Sequence, residues 1–249
     1  MPNINDSFFD GYYKDIWRSI IPDILTTREV DFIFQYFDLR PGNKVLDIMC
    51  GYGRHALDLA RKGMNVTAVD NLSDYINEIK EITLQENLPV EAIQSDIINY
   101  KSDKEFDLAL CMGNSLNFFN AEDTLKIMKA VSNHLRPGGK FLINSWSVAE
   151  IVSKNFKERS EGTVGNMKFI YENKLLSNPI RMETQSTIIA SDGSVETKTG
   201  IDYIFTTSEM ETMLNQADFI VNKMYSIPGK KKFAEGEPRI YIIAERIRE

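Results

Sequence analysis

Between residues 44 and 146, short β-rich runs alternate with helical stretches. That alternation restricts the chain to an α/β fold built from successive βαβ units around a mostly parallel sheet. The β-rich runs occupy residues 44–49, 65–70, 90–96, 106–112 and 140–146. The clearest helix spans 121–135, where Leu125, Met128, Ser132 and Leu135 share one face and Asn120 stands at the N-cap position. Arg136, Pro137, Gly138 and Gly139 are expected to end that helix and turn the chain into the next strand.

After residue 147 the rhythm changes. Segments rich in Thr, Ser and Ile predict antiparallel strands at 167–176, 181–190 and 195–205, with Asp192-Gly193 as the hairpin turn between the last two. A capping box from Thr206 to Glu209 then opens a helix carrying Met210, Met213, Leu214 and Ala217, and strands at 219–225 and 239–246 complete the α/β pattern. The expected division is an N-terminal helical cover over 1–43 lying along one sheet edge, an α/β domain over 44–146 and 206–249, and an antiparallel insertion over 147–205. The expected fold class is α/β, a doubly wound and mostly parallel seven-stranded sheet with an antiparallel β insertion.

At 249 residues the chain can bury a sizeable core, and no apolar run is long enough to cross a bilayer. Its first residues show neither a basic leader nor a small-residue cleavage site, so the expected location is cytoplasmic. A formal net charge of −7 repels a phosphate backbone, which counts against nucleic acid as a partner. Lys230 to Lys232 read as a solvated loop. Two cysteines, Cys50 and Cys111, exclude a disulfide framework; with only His55 and His134 beside them no zinc-type cluster forms, and no metal is expected.

The chemistry concentrates where β-rich runs end. The first run passes into a turn with Gly51 and Gly53 and then a helix, an arrangement that lets backbone approach a ligand and presents free N–H groups. The second ends at Val69-Asp70, where a carboxylate can take two hydrogen bonds from a ribose diol, and the third ends at Ser95-Asp96-Ile97. Taken alone, Gly51-x-Gly53-x-x-Ala56 also suits a dinucleotide.

Through residues 45–53, Val69-Asp70, Ser95-Asp96, 106–114 and 135–139, the chain resembles the class I S-adenosylmethionine-dependent methyltransferases, in motif order and spacing. The Cys-Gly-x-Gly-Arg-His turn from Cys50 to His55 is similar to that of a bacterial small-molecule branch. The resemblance implies a Rossmann-like methyltransferase fold and S-adenosyl-L-methionine as cofactor, with S-adenosyl-L-homocysteine as product. It further implies methyl transfer to a small-molecule acceptor, nitrogen or oxygen ahead of carbon or sulfur. It assigns Asp47 and the turn from Gly51 to Gly53 to the methionine moiety, Asp70 to the ribose hydroxyls with Asn71 at the nucleoside, Asp96 with Ile97 to the adenine, and Met49 and Cys50 to the cofactor site as well. Met112, Gly113 and Asn114 would stand between cofactor and acceptor. His55 and Tyr13 are the candidates for a catalytic base, and Tyr13, Asn114 and Arg239 for acceptor contacts. The stretch from Cys111 to Asn117 lacks the Asn-Pro-Pro-Tyr signature of enzymes that methylate bases or glutamine, which again counts against nucleic acid. The segment 147–205 is expected to form a lid over the acceptor pocket.

Plainer roles stand beside these. Each aspartate alone can cap a helix or satisfy a loop, His134 suits the negative end of a helix dipole, and Tyr12, Tyr13 and Trp17 can pack a helix. The alternative enzyme class is an NAD(P)-dependent oxidoreductase, against which stand Asp47 before the turn, the acidic end of the third β-rich run and the lack of an evident Tyr-x-x-x-Lys catalytic pair in the expected helix. A non-catalytic S-adenosylmethionine-binding partner protein is the other alternative.

Overall fold

The computed structural model describes residues 3–247. Two helices, α1 (Tyr12–Ile20) and α2 (Asp23–Tyr36), precede β1 (Lys44–Ile48), α3 (Arg54–Arg61), β2 (Asn65–Asp70), α4 (Ser73–Glu86), β3 (Val90–Gln94) and β4 (Phe106–Cys111). The chain continues through α5 (Ala121–His134), β5 (Leu135–Ser145), α6 (Ala149–Asn155), β6 (Arg159–Val164), β7 (Met167–Leu176), β8 (Arg181–Ile189) and β9 (Val195–Tyr203). It closes with α7 (Thr207–Gln216), β10 (Phe219–Ile227), β11 (Lys231–Lys232) and β12 (Ile240–Arg246).

The large sheet has the order β11-β10-β12-β5-β4-β1-β2-β3. Strands β1 to β5 pair in parallel, and β12 inserts antiparallel between β5 and β10. Seven strands match the expectation, and the eighth is the two-residue β11, which pairs with β10 where the lysine run read as loop. Parallel strands covered on both faces need apolar residues on both. Leu46 and Ile48 point into one core with Phe141, Phe219 and α5, while Val45 points into the other with α2, α3 and Tyr241.

Caps behave as their chemistry demands. Asn120 Oδ1 accepts from the Asp123 amide at 2.9 Å, and Thr206 and Glu209 form the reciprocal capping box of α7. The helix α5 does not end in the Pro-Gly segment, however. It stops at His134, and residues 135–139 already belong to β5 as an irregular strand start, with the register to β4 slipping between Phe106 and Leu108. His134 Nδ1 lies 2.7 Å from the Ala130 carbonyl and its ring packs on Tyr100, a structural place.

The second sheet is antiparallel, ordered β6-β7-β8-β9. Three of its strands were expected; β6 and the helix α6 were not, because β6 reads Arg-Ser-Glu-Gly-Thr-Val and carries no apolar face. The N-terminal helices do not lie along a sheet edge, which β3 and β11 form. Instead α2 packs on α3 over one face of the large sheet, and the segment before it crosses to the small sheet. Asn5 is buried there: its Nδ2 donates to the Phe118 and Ile201 carbonyls, both at 2.9 Å, and its Oδ1 accepts from Ile201 N at 2.8 Å.

Candidate active site

The strand order reverses direction at β1, whose neighbours are β2 on one side and β4 on the other, and such switch points open a crevice at the carboxyl ends of the strands. A cavity of about 830 Å³ occupies it, a size that suits a cofactor with a small partner molecule. Asp47, Met49, Cys50 and Gly51 reach it from the end of β1, Asp70 and Asn71 from β2, Asp96 and Ile97 from β3, and Met112 and Gly113 from β4. On the other side stand Phe9, Tyr13 and Trp17 of the N-terminal segment, with Phe118 and Trp146. Rings run continuously across this side: Phe9 contacts Tyr13 and Phe118, Tyr13 stacks on Trp17, and Trp17 meets Trp146.

The glycine turn is held by Asp70. Its Oδ2 accepts from Gly51 N at 2.8 Å and its Oδ1 from Leu72 N at 3.0 Å, so one carboxylate fixes the approach of two loops. Gly51 sits at φ +55° with nothing within 4 Å of an added Cβ, so its glycine answers backbone conformation and open space. Gly53 differs from its expected role. It does not line the cavity, and a Cβ there would stand 2.7 Å from Ile79, so this glycine serves packing between α3 and α4. Asp96 accepts from Ile98 N at 2.9 Å, closing its own loop while still facing the cavity.

Asp47 is 1% exposed and its Oδ2 has no hydrogen-bond partner. Burial pushes its carboxyl up to about 7, against the opposing pull of Arg54 and the Ala56 amide. Burial also raises Asp70, in spite of the backbone amides that favour its charge. A buried polar atom without a partner calls for an explanation, and here its residue lines the cavity.

Beside the turn lies a network that the sequence did not announce. Glu29 of α2 is 2% exposed and accepts from Arg54 at 2.6 Å, from His55 Nε2 at 3.0 Å and from the Tyr241 hydroxyl at 2.7 Å. Burial alone would raise its carboxyl, but the hydrogen bond from His55, the Arg54 charge and the Tyr241 hydroxyl hold it down at about 2. His55 itself is lowered, by burial first and by Arg54 second, so the neutral ring donates Nε2–H to Glu29. His55 faces the cavity, but with that nitrogen already committed.

Two expected acceptor contacts are corrected. Asn114 is buried away from the cavity, where its Nδ2 donates to Ser147 Oγ at 2.9 Å and its Oδ1 accepts from Ser145 Oγ and from the Trp146 and Ser147 amides. Four bonds within the protein make it a tie between the ends of β4 and β5. Arg239 does not line the cavity either; it turns to the Tyr241 hydroxyl. Tyr13 does line it, as does Trp17, read from the sequence as packing. The residues missed by sequence reasoning are Glu29, Asn5, Phe9, Phe118 and Trp146, brought in from five places along the chain. Only Trp146 carried a signal, as the end of a β-rich run.

The chain is similar to known proteins in part of its sequence and in its fold. Residues 45–139 match the family model of the methyltransferase domain. A ubiquinone biosynthesis O-methyltransferase of Rickettsia akari is 31% identical over 103 residues, which span 41% of this chain and only 39% of that relative. Among solved structures, an S-adenosylmethionine-dependent methyltransferase from Clostridium acetobutylicum superposes with a TM-score of 0.82 at 21% identity, covering 94% of this chain and 96% of the other. CalS10 from Micromonospora echinaspora, an amino pentose methyltransferase with bound cofactor, gives 0.73 at 17% identity, covering 95% and 97%. Residues 45–139 therefore form a methyltransferase domain, set in a chain with the class I S-adenosylmethionine-dependent methyltransferase fold.

Proposed function

We propose that this chain binds S-adenosyl-L-methionine in the cavity at the strand ends and transfers its methyl group to a small molecule. The observation that carries the reading is the convergence of Asp47, Gly51, Asp70 and Asp96 on one cavity beneath a wall of aromatic rings. The residues fit the group: the open Asp47 Oδ2 suits an ammonium, Asp70 a ribose diol, and the buried Ile97 side chain an adenine face. When bound, the cofactor supplies an electrophilic sulfonium methyl.

The chain's own work is then positioning. The glycine turn and Asp70 orient one partner, and the rings of Phe9, Tyr13, Trp17 and Trp146 exclude water and hold the other at close approach. No residue needs to form a bond. The segment 147–205 sets which acceptor enters, through β9 and its tie to Asn5. Exchanging it for the corresponding segment of a relative is expected to change acceptor preference and leave cofactor affinity intact.

Calorimetric titration tests the cofactor directly. S-adenosylhomocysteine is expected to bind, and Asp70→Ala to weaken it at least about tenfold through loss of charge-assisted hydrogen bonds. Binding of NAD with no response to S-adenosylhomocysteine would overturn the proposal.

A further inference from the structure

The cavity divides by strand. Asp47, Asp70 and Asp96 reach it from β1, β2 and β3, whereas β4 and β5 lie on the other side of β1 in the sheet. Over the ends of β4 and β5 the wall is aromatic. Trp17 Cζ2 lies 3.7 Å from where a Cβ on Gly113 would be, just beyond β4, and Trp146 directly follows the last residue of β5. The two indoles meet with ring centroids 5.6 Å apart and planes at 44°. Tyr13 extends the wall by stacking on Trp17 at 6.4 Å and 13°, and Phe9 by an edge contact with Tyr13 at 5.4 Å. All four line the cavity, and both indoles and Tyr13 are half-buried rather than closed in a core.

The charges around this wall are of one sign. Among the described residues lining the cavity, Asp6, Asp47, Asp70, Asp96 and Asp123 are acidic and Arg54 is the only lysine or arginine. Arg54 opens α3 beside the end of β1, and its guanidinium is already held by Glu29 at 2.6 Å and Thr26 at 3.1 Å. An anion drawn onto the rings would shed its hydration with no cation beside it. A cation is favoured twice, by the negative faces of the rings and by the surplus of carboxylates around the same cavity. The Tyr13 hydroxyl makes no hydrogen bond among the described residues, and a phenol oxygen can accept one from an N–H.

We propose that the rings of Trp17, Trp146, Tyr13 and Phe9 form a recognition site for an organic cation, and that the methyl acceptor is an amine seated there as its ammonium. This rests on the S-adenosylmethionine reading above. The ammonium cedes its proton to water, and the freed nitrogen lone pair forms the N–C bond. The C–S bond breaks with its electron pair left on sulfur. Positive charge thus passes from sulfur back to nitrogen, where the same ring faces stabilise it.

Trp17 and Trp146 are the only two tryptophans of the sequence, so intrinsic fluorescence reports what binds at this wall. With the protein saturated by S-adenosylhomocysteine, three probes of one shape and different charge are titrated: cyclohexylamine, cyclohexanol and cyclohexanecarboxylate. Cyclohexylamine is expected to bind about tenfold more tightly than cyclohexanol, the size of a desolvated cation–π contact, and cyclohexanecarboxylate more weakly than either. Trp17→Leu and Trp146→Leu each leave one indole as reporter, and each is expected to cut that preference at least about threefold. Both should keep the affinities for cyclohexanol and S-adenosylhomocysteine, and Trp17→Phe, which restores a ring face, should recover the preference. Carboxylate binding as tight as that of the amine, no binding of the amine, or a preference that survives both leucine variants would overturn the proposal. So would equal loss of S-adenosylhomocysteine and every probe in those variants, which would make the indoles structural. Failure of the wild type to bind S-adenosylhomocysteine would instead sink the cofactor reading beneath it.

Discussion

Two buried carboxylates near the glycine turn are pushed in opposite directions. Glu29 has three donors and is held at about 2, whereas Asp47 has an open oxygen and is raised to about 7. For a depressed acid, stability is fully present above the unfolded value and is lost as pH falls toward the folded one, here from roughly 4.5 to 2. Glu29→Gln is expected to cost about 3 kcal/mol at neutral pH, because Arg54 loses its buried counter-charge, and to flatten this acid limb. Urea unfolding between pH 3 and 7 checks both. For Asp47 the sign reverses: ionisation in the fold is disfavoured, so the penalty grows as pH rises from the unfolded value near 3.8 to about 7 and then levels. Asp47→Asn is therefore expected to raise the ligand-free Tm, by a margin that widens over that range, while weakening S-adenosylhomocysteine. A Tm gain independent of pH would refute the assignment. The positions of Asp47 and Asp70 at the cavity were legible because each stands near the carboxyl end of a strand; that of Glu29 was not, because its partners come from α3 and β12, far from it in the chain.

Among the elements, periodicity and caps carried most of the information. Strands β1 to β4 and helices α5 and α7 stand where apolar spacing and capping residues put them. The misses share a cause. The strand β6 is polar on both faces and finds its place only by pairing with β7, and the segment 135–139 opens a strand because Leu135 pairs with Phe106 of β4, the register slipping before it resumes at Lys140. How the small sheet is held was equally hidden. Asn117, fully buried, donates to the Tyr203 carbonyl at 2.8 Å and to the Ser147 carbonyl at 3.2 Å, tying β9 to the end of β5. Asn117→Ala strands these groups and is expected to cost about 2 kcal/mol, the range for buried donors and acceptors left unpaired. It should also speed proteolysis within 159–203 more than elsewhere, and uniform cleavage would argue that the small sheet is held by other contacts.

For the molecule as a whole, the N-terminal segment, the strand ends and the small sheet enclose one cavity, so a ligand there touches all three. Asn71 bonds Asp6 at 3.1 Å and Tyr75 bonds the Phe9 carbonyl at 2.9 Å, which joins the β2 and α4 side of the cavity to the segment opposite. Saturating S-adenosylhomocysteine at about 100 times its Kd is expected to stabilise the chain by about 2.7 kcal/mol and to slow amide exchange in residues 3–20. Stabilisation with no protection of that segment would mean that the ligand does not engage it. No helix among the described residues is long and apolar enough to cross a membrane.

The sequence by itself determined the α/β class, the order of its units and the acidic strand ends that face the crevice. These follow from local rules: apolar periodicity, capping, glycine conformation and the fixed geometry of a parallel strand end. Tertiary structure alone decided that Asn114 and Arg239 stand away from the cavity and that Glu29 grips the start of α3. The bonds that place Asn114 and Glu29 span 25 to 212 positions along the chain, and no local pattern encodes which distant donor will reach a buried oxygen first.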